Sequence, residues 1–275
     1  MKNLLYFILK NRRSLFFSIT LGLGAVFSIE ILKDYGTKAF LVVNSITILI
    51  LIFEIYLDWH YATKVLRQID MPSINAYNLA GHIINHITLP LLLYISLVGF
   101  VYFNIDDLIR LIIILIVTFV NTLLFINIRS YYEDDFNLDY STRYIYDVIK
   151  LIVFFLAVNV ILHLKLRLNI DVWVISILIY FLVLLLSFLI VYRQGQIGRQ
   201  TFTYISITSF LIAVLFMILN IFEIFLIGTN VITFLLFYFD ISILQHKLNR
   251  DLTFNILVEY ILTLFLAIIL FSGIS

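Results

Sequence analysis

The chain has 275 residues, of which 63% are hydrophobic and 13% charged, and its mean hydropathy is +1.09. Soluble domains have about 45–50% apolar and about 25% charged residues, so this composition excludes an ordinary soluble domain and indicates a membrane protein. The net charge of +1 favours no nucleic-acid partner. The absence of cysteine excludes disulfides, thiol nucleophiles and thiolate metal ligands.

Apolar runs of membrane-spanning length recur along the whole chain. A hydrocarbon core of about 30 Å needs about 20 apolar residues per helix. The sequence therefore predicts an all-α polytopic bundle of nine transmembrane helices in a single integral membrane domain, 1–275. Continuous runs exclude a membrane barrel, whose strands alternate apolar and polar residues. The nine predicted spans cover residues 14–32, 39–57, 84–103, 107–128, 148–166, 172–192, 201–227, 231–245 and 253–273. Pro90 is expected to kink the third span.

The basic residues are distributed unevenly between alternate sides of these spans. With a cytoplasmic N-terminus, 13 of the 18 Lys and Arg residues lie in cytoplasmic segments and 5 lie outside. The positive-inside rule then predicts a multi-pass protein of the cell membrane with its N-terminus in the cytoplasm and its C-terminus outside. The polar loops 58–83, 129–147 and 193–200 share the cytoplasmic face, so a site would open inward.

The polar stretch between the second and third spans reads EIYLDWHYATKVLRQIDMPSINAYNLAGH. Glu54 and Asp58 are four residues apart and share one helix face, and Arg67 and Asp70 follow. Carboxylates near a membrane interface are costly unless they face a wet cavity or a cation. These residues are therefore candidates for chemistry. The alternative interpretation places Glu54 and Asp58 at the level of the lipid headgroups.

The loop between the fourth and fifth spans is strongly acidic. Asp135 and Asp139 can share a helix face with Asp134 beside them, and carboxylate oxygens are the ligands that Mg²⁺ takes. A solvated run of like charges is the alternative interpretation.

The loop after the sixth span is basic. Arg193 and Arg199 flank two glycines, and two guanidinium groups with exposed backbone N–H groups suit a phosphate or diphosphate. An ordinary positive-inside loop is the alternative. The fifth and sixth spans contain few polar residues and are interpreted as scaffold, whereas acidic residues interrupt the late spans and are candidate functional residues by their position. The interrupting residues are Glu223, Asp240 and Glu259.

Taken together, the cytoplasmic loops resemble those of the UbiA superfamily of intramembrane prenyltransferases. That family has nine helices, an inward N-terminus and two aspartate-rich motifs, after the second and sixth helices. The first motif is close to N-D-x-x-D-x-x-x-D, followed by a stretch similar to N-R-P-x-R-P-x-P-S-G. Laid without gaps on this chain, it puts Glu54 at the asparagine, Asp58 at the middle aspartate, Ala62 at the last aspartate, Pro72-Ser73 at the final P-S, and Arg67 within a residue or two of the arginines.

The second family motif, similar to D-x-x-D-x-x-G-D-x-x-x-G-x-R-T-L-P, resembles RQGQIGRQTFTY. Gly198 and Thr201 match it, and Arg199 falls one position early. The family's aspartates are absent here, and their positions are occupied by Ser187, Ile190 and Gln194. This departure predicts weak or absent prenyl transfer, because a two-motif Mg²⁺ site cannot assemble from these loops.

The resemblance implies binding of an isoprenoid diphosphate or another membrane lipid between the helices. The protein would be either a prenyltransferase, which moves a prenyl group to a membrane acceptor, or a catalytically degenerate relative that binds the lipid diphosphate. The implied catalytic residues are Asp58 and Asp70. The implied Mg²⁺ ligands are Asp58, Asp134, Asp135 and Asp139, and the implied diphosphate ligands are Arg67, Arg143, Arg193 and Arg199.

Two alternatives of other classes remain open at the level of sequence. The loop VLRQIDMPSINAYNLAG also looks like the cytoplasmic loop of membrane permease subunits of ABC-type exporters, although nine spans and an outward C-terminus argue against that class. A structural or assembly partner without a ligand is the third interpretation. The sequence leaves the oligomeric state open.

The predicted topology can be tested by reporter fusions. A reporter fused at Ser275 and one inserted within 129–147 should report opposite sides of the membrane. Reporters on the same side would contradict the topology and weaken the resemblance to the UbiA superfamily.

Overall fold

The computed structural model describes residues 12–68, 87–104, 106–133, 140–193, 198–221 and 226–249, with further residues between 253 and 265. The elements in these ranges are helical, which confirms the all-α prediction. Seven helices follow one another: α1 (Arg12–Gln68), α2 (Thr88–Phe103), α3 (Asp107–Glu133), α4 (Tyr140–Leu168), α5 (Val172–Arg193), α6 (Arg199–Ile221) and α7 (Leu226–Asn249). The chain divides into two compact units, Met1–Ile149 and Lys150–Ser275.

The described residues contain six helices that are long and apolar enough to cross a membrane, not the nine predicted. The first two predicted spans both fall within α1, whose apolar part is Arg12–Leu57. The third corresponds to α2, which has only 16 residues. Most of the ninth predicted span, 253–273, lies outside the described residues. The six helices support a multi-pass membrane protein, while the orientation stays a prediction.

Helix α1 reverses direction at Gly36. This glycine has φ 77° and ψ −174°, which is not helical, and the two flanking arms are 12–35 and 37–68. Arg13 Nε lies 2.7 Å from Glu54 Oε1, although the two residues are 41 positions apart. A straight helix would separate them by about 60 Å. The arms therefore fold back on each other as a hairpin, as two antiparallel spans would.

In the first unit, α2 and α3 pack against this hairpin. The buried Tyr94 of α2 donates its hydroxyl to Asn44 Oδ1 of the second arm at 3.0 Å. On the α3 side, Gly22 lies so close to Thr118 that a Cβ at Gly22 would overlap the Thr118 hydroxyl. A residue without a side chain is therefore required at this crossing.

In the second unit, aromatic stacking and polar pairs connect the helices. The rings of Phe154 in α4 and Phe237 in α7 are stacked with centroids 4.1 Å apart. Lys165 of α4 donates to Asn220 Oδ1 of α6 at 2.9 Å. Helices α5 and α6 are joined by a short connection and lie against each other along their length.

Many described polar side chains within the apolar helices donate to the backbone of their own helix. Hydroxyl and amide groups donate to the carbonyl oxygen four residues earlier, as in Ser18 to Ser14 O, Thr47 to Val43 O, Ser176 to Val172 O, Ser209 to Ile205 O and Thr233 to Thr229 O. This bond satisfies the side chain without a second helix. Such residues are consistent with apolar surroundings.

Local sequence explains where two helices begin. Asp106 caps α3, because its Oδ1 accepts the backbone N–H groups of Leu108 at 2.9 Å and Ile109 at 3.2 Å. Pro90 lies in the first turn of α2, where a missing N–H needs no partner. The expectation that Pro90 kinks the third span stays a prediction, because residues 69–86, which precede this helix, lie outside the described part of the chain.

Replacing Gly36 with alanine should destabilise the hairpin. The backbone conformation at Gly36 is one that essentially only glycine adopts, and a side chain there costs about 1–3 kcal/mol, although an added Cβ would meet no atom within 4 Å. The free energy of unfolding of the detergent-solubilised protein should fall by that amount in Gly36→Ala. The neighbouring exposed substitution Thr37→Ala should change it by less than about 0.5 kcal/mol; equal effects would refute the assigned role of Gly36.

Candidate functional site

Most of the residues assigned to the site from sequence lie outside the described part of the chain. Asp70, Asp134, Asp135 and Asp139 fall in the gaps between described ranges. Asp58 and Arg67 lie on α1, Arg143 on α4 and Arg193 at the end of α5, but their side chains are not described. Among the residues that are described, no group of three potential metal ligands occurs. The Mg²⁺ site therefore stays a prediction.

Arg199 is the one predicted site residue whose side chain is described. It is exposed and is the first residue of α6. The backbone around it is regular: the Thr203 hydroxyl donates to the Arg199 carbonyl oxygen at 2.9 Å, and Phe202 N–H donates to the Gly198 carbonyl oxygen at 2.9 Å. The guanidinium group is therefore presented at the end of a rigid helix.

Two carboxylic side chains are buried within the described ranges, Glu54 and Asp240. Both were noticed in the sequence, as part of the Glu54/Asp58 pair and as an interruption of a late span. Glu259, which was noticed for the same reason, is exposed, and Glu223 lies outside the described residues. Glu54 and Asp240 are thus buried in the tertiary structure, whereas Glu259 is exposed.

Glu54 forms an ion pair with Arg13 across the α1 hairpin. The Glu54 side chain is 6% exposed and the Arg13 side chain 38% exposed, so the carboxylate is buried and the guanidinium is partly in contact with the surroundings. Arg13 also lies 5.9 Å from the centre of the Phe17 ring. The other arm of the hairpin thus covers the Glu54 carboxylate, and its level relative to the lipid headgroups stays a prediction.

A small cavity lies next to this ion pair. Its volume is about 290 Å³, and its wall includes Glu54, Thr20, Thr47 and Phe125 among mainly apolar side chains. The carboxylate is already paired, so the cavity offers an incoming molecule mostly apolar contacts.

Asp240 is held by hydroxyl groups from two neighbouring helices. The Ser187 hydroxyl of α5 lies 3.4 Å from Asp240 Oδ2. The Thr208 hydroxyl of α6 is also within hydrogen-bonding reach of this carboxyl group, and it can donate instead to the Ile205 carbonyl oxygen at 3.2 Å. Three helices thus converge on one buried carboxyl group.

An apolar groove lies between α5 and α6, and we call it the α5–α6 groove. Its volume is about 500 Å³. One polar pair interrupts its wall, where the hydroxyls of Tyr180 and Ser206 lie 3.1 Å apart. The lining residues are Trp173, Ser176, Ile177, Tyr180, Ser206, Ile207, Phe210, Ala213, Val214 and Met217.

Sequence analysis missed this groove, because it interpreted the sixth span as scaffold. A signal was present: Trp173, Ser176 and Tyr180 are spaced by three and four residues and so share one helix face. Their mixed aromatic and hydroxyl character is typical of a face that meets a ligand with an apolar body and a polar end. Only the pairing of this face with α6 makes it a groove.

Comparisons with known proteins give no match to a family model, to a curated protein or to a solved structure. The fold and the geometry therefore establish a helical membrane protein, and the resemblance to the UbiA superfamily rests on the loop residues alone.

The ion pair between Arg13 and Glu54 should stabilise the hairpin. We expect Glu54→Gln to lower the free energy of unfolding by about 1–3 kcal/mol, because it replaces a charge-assisted hydrogen bond to a buried carboxylate with a neutral one. The double variant Arg13→Met/Glu54→Gln should lose less than the sum of the two single variants.

A second, exposed ion pair provides the control. Lys33 Nζ lies 3.0 Å from Asp107 Oδ2, with side chains 46% and 58% exposed. Breaking it with Lys33→Met should cost less than about 1 kcal/mol, since exposed pairs contribute little. A Glu54→Gln effect no larger than that of Lys33→Met would show that burial does not strengthen the Arg13–Glu54 pair.

Proposed function

We propose that this protein binds a long-chain membrane lipid along the α5–α6 groove, and that an isoprenoid diphosphate is the lipid. The observation that carries the proposal is the groove itself, an apolar cavity of about 500 Å³ with one polar pair in its wall. Cavities of this size are typical of small-molecule sites that combine apolar walls with few polar groups.

The groove suits a hydrocarbon tail. It follows α6 from Ser206 to Met217, a distance of about 16 Å along the helix axis. Bilayer lipids also offer apolar tails, so apolar contact alone selects no particular molecule. Selection must come from the shape of the groove and from polar groups near its end.

The charge on α6 provides such a group. Arg199 is exposed and lies seven residues before Ser206, about 10 Å along the helix axis. A lipid with its phosphate at Arg199 would therefore bring the start of its tail to the polar pair of Tyr180 and Ser206. Arg193, the last residue of α5, is the second ligand for a diphosphate that the sequence predicts.

Prenyl transfer is a separate step that the proposal does not require. Ser187 and Ile190 occupy two positions at which the UbiA motif has aspartates, and both are buried on α5. Aspartates at buried positions without a cation would be costly. Prenyl transfer would therefore depend on carboxylates elsewhere, with Asp134, Asp135 and Asp139 as the sequence candidates. No contact among the described residues favours the ABC-type permease.

Fluorescence of Trp173 can test the groove directly. The chain has two tryptophans, so Trp59→Phe leaves Trp173, which lines the groove, as the single reporter. We expect farnesyl or geranylgeranyl diphosphate to change its emission saturably in detergent micelles. Val214→Phe narrows the groove and should weaken binding at least tenfold, about 1.4 kcal/mol.

Matched variants separate the tail from the headgroup. Leu211→Phe adds the same ring at an exposed position of α6 outside the groove and should leave binding unchanged. Arg199→Ala should weaken binding of the diphosphate but not of the corresponding prenyl alcohol. Equal binding by Val214→Phe and the parent protein would reject the α5–α6 groove as the site.

A further inference from the structure

Asp240 lies deep within an apolar helix. It is 7% exposed and stands eight residues before the end of the candidate span Gly228–Leu248, about 12 Å along the helix axis. Half of a hydrocarbon core is about 15 Å thick. The carboxyl group is therefore below the headgroup region, where an isolated charge is strongly disfavoured.

The oxygen atoms around Asp240 come from three helices. Besides its own two carboxylate oxygens, the Ser187 hydroxyl on α5 and the Thr208 hydroxyl on α6 face it. Both hydroxyls retain lone pairs that can coordinate a cation. The cluster thus offers oxygen ligands, a single negative charge and no nitrogen or sulfur ligand among the described residues.

Two described lysines on α7 and α4, Lys247 and Lys150, have interactions of their own. The Lys247 ammonium group, on α7 with Asp240, lies 3.8 Å from the centre of the Tyr204 ring. Tyr204 is also close enough to Asp240 for the two to interact electrostatically. Lys150 is buried on α4, which packs on α7 through Phe154 and Phe237, and it has an interaction of its own. Within the described ranges, the side chains that hydrogen-bond to the Asp240 carboxyl group are the hydroxyls of Ser187 and Thr208.

The distance between the Ser187 and Asp240 oxygens is compatible with a cation bound between them. The Ser187 hydroxyl donates a long hydrogen bond of 3.4 Å to Asp240 Oδ2, so both oxygens are close enough to coordinate the same cation. Two oxygens that coordinate one cation at about 2.4 Å and at a right angle stand about 3.4 Å apart. Na⁺ has nearly the radius of Ca²⁺, for which that coordination distance holds, and its single charge matches the single carboxylate.

We propose that Asp240, Ser187 and Thr208 form a binding site for a monovalent cation of the size of Na⁺, which connects α5, α6 and α7. The proposal is independent of lipid binding, since none of these three residues lines the α5–α6 groove. Bound Na⁺ would neutralise the carboxylate and tie the three helices together.

Thermal unfolding of the purified full chain in detergent tests the site. The probe is NaCl, with KCl and choline chloride at the same ionic strength as references. Because a ligand that binds only the folded state stabilises it, the unfolding midpoint should rise saturably with NaCl, by about 5 °C or more at saturation. KCl should produce a smaller rise, and choline chloride should give the baseline.

Variants assign the effect to these residues. Asp240→Asn should abolish the Na⁺-dependent rise while keeping a cooperative transition, and Ser187→Ala should raise the NaCl concentration at half-effect at least threefold. Asp171→Asn, an exposed acid at the start of α5, should behave like the parent protein. If Asp240→Asn does not fold, Ser187→Ala and Thr208→Val still decide the question through their half-effect concentrations.

Three outcomes would overturn the proposal. One is a NaCl curve that coincides with the choline chloride curve. Another is a Na⁺ effect that survives in Asp240→Asn or is unchanged in both hydroxyl variants. The third is a midpoint that depends on pH through Asp240 but not on Na⁺, which would identify the neutralising ion as a proton.

Discussion

In the hydrocarbon core of a bilayer, water cannot pair with polar groups, so the protein must satisfy each of them internally. This constraint explains why the described elements are helices, in which the backbone groups bond within one segment. It also explains why serine, threonine and asparagine side chains in these helices donate to carbonyl oxygens of the preceding turn. A helix can therefore contain these polar side chains within the membrane without a partner from another helix.

The two buried carboxyl groups among the described residues are instead held by contacts between helix segments. Glu54 obtains its partner, Arg13, only because the chain reverses at Gly36. Asp240 instead meets hydroxyls from α5 and α6. A paired carboxylate is a structural feature, whereas a carboxyl group surrounded by neutral oxygens is neutralised either by protonation or by a bound cation. The two acids therefore differ in chemical meaning although both interrupt apolar sequence.

Lipid binding and cation binding would act on the same helices in different ways. The α5–α6 groove presents one side of both helices to apolar molecules, and the Asp240 cluster ties the same helices to α7. Ser206 lines the groove and Thr208, two residues later, faces Asp240. A displacement of α6 would therefore change both the α5–α6 groove and the surroundings of Asp240.

The sequence alone determined the class of protein, because apolar length and low charge are properties of each segment and need no tertiary information. It also indicated most helix positions, and it marked Glu54 and Asp240 as unusual. It failed where a property depends on two segments together. Only the tertiary structure decided that 12–35 and 37–68 are arms of one hairpin closed by Arg13 and Glu54. The same holds for the face of Trp173, Ser176 and Tyr180, which becomes a groove only against α6. Periodicity shows which residues share a face of one helix, but which faces meet depends on packing between helices, which no single segment encodes.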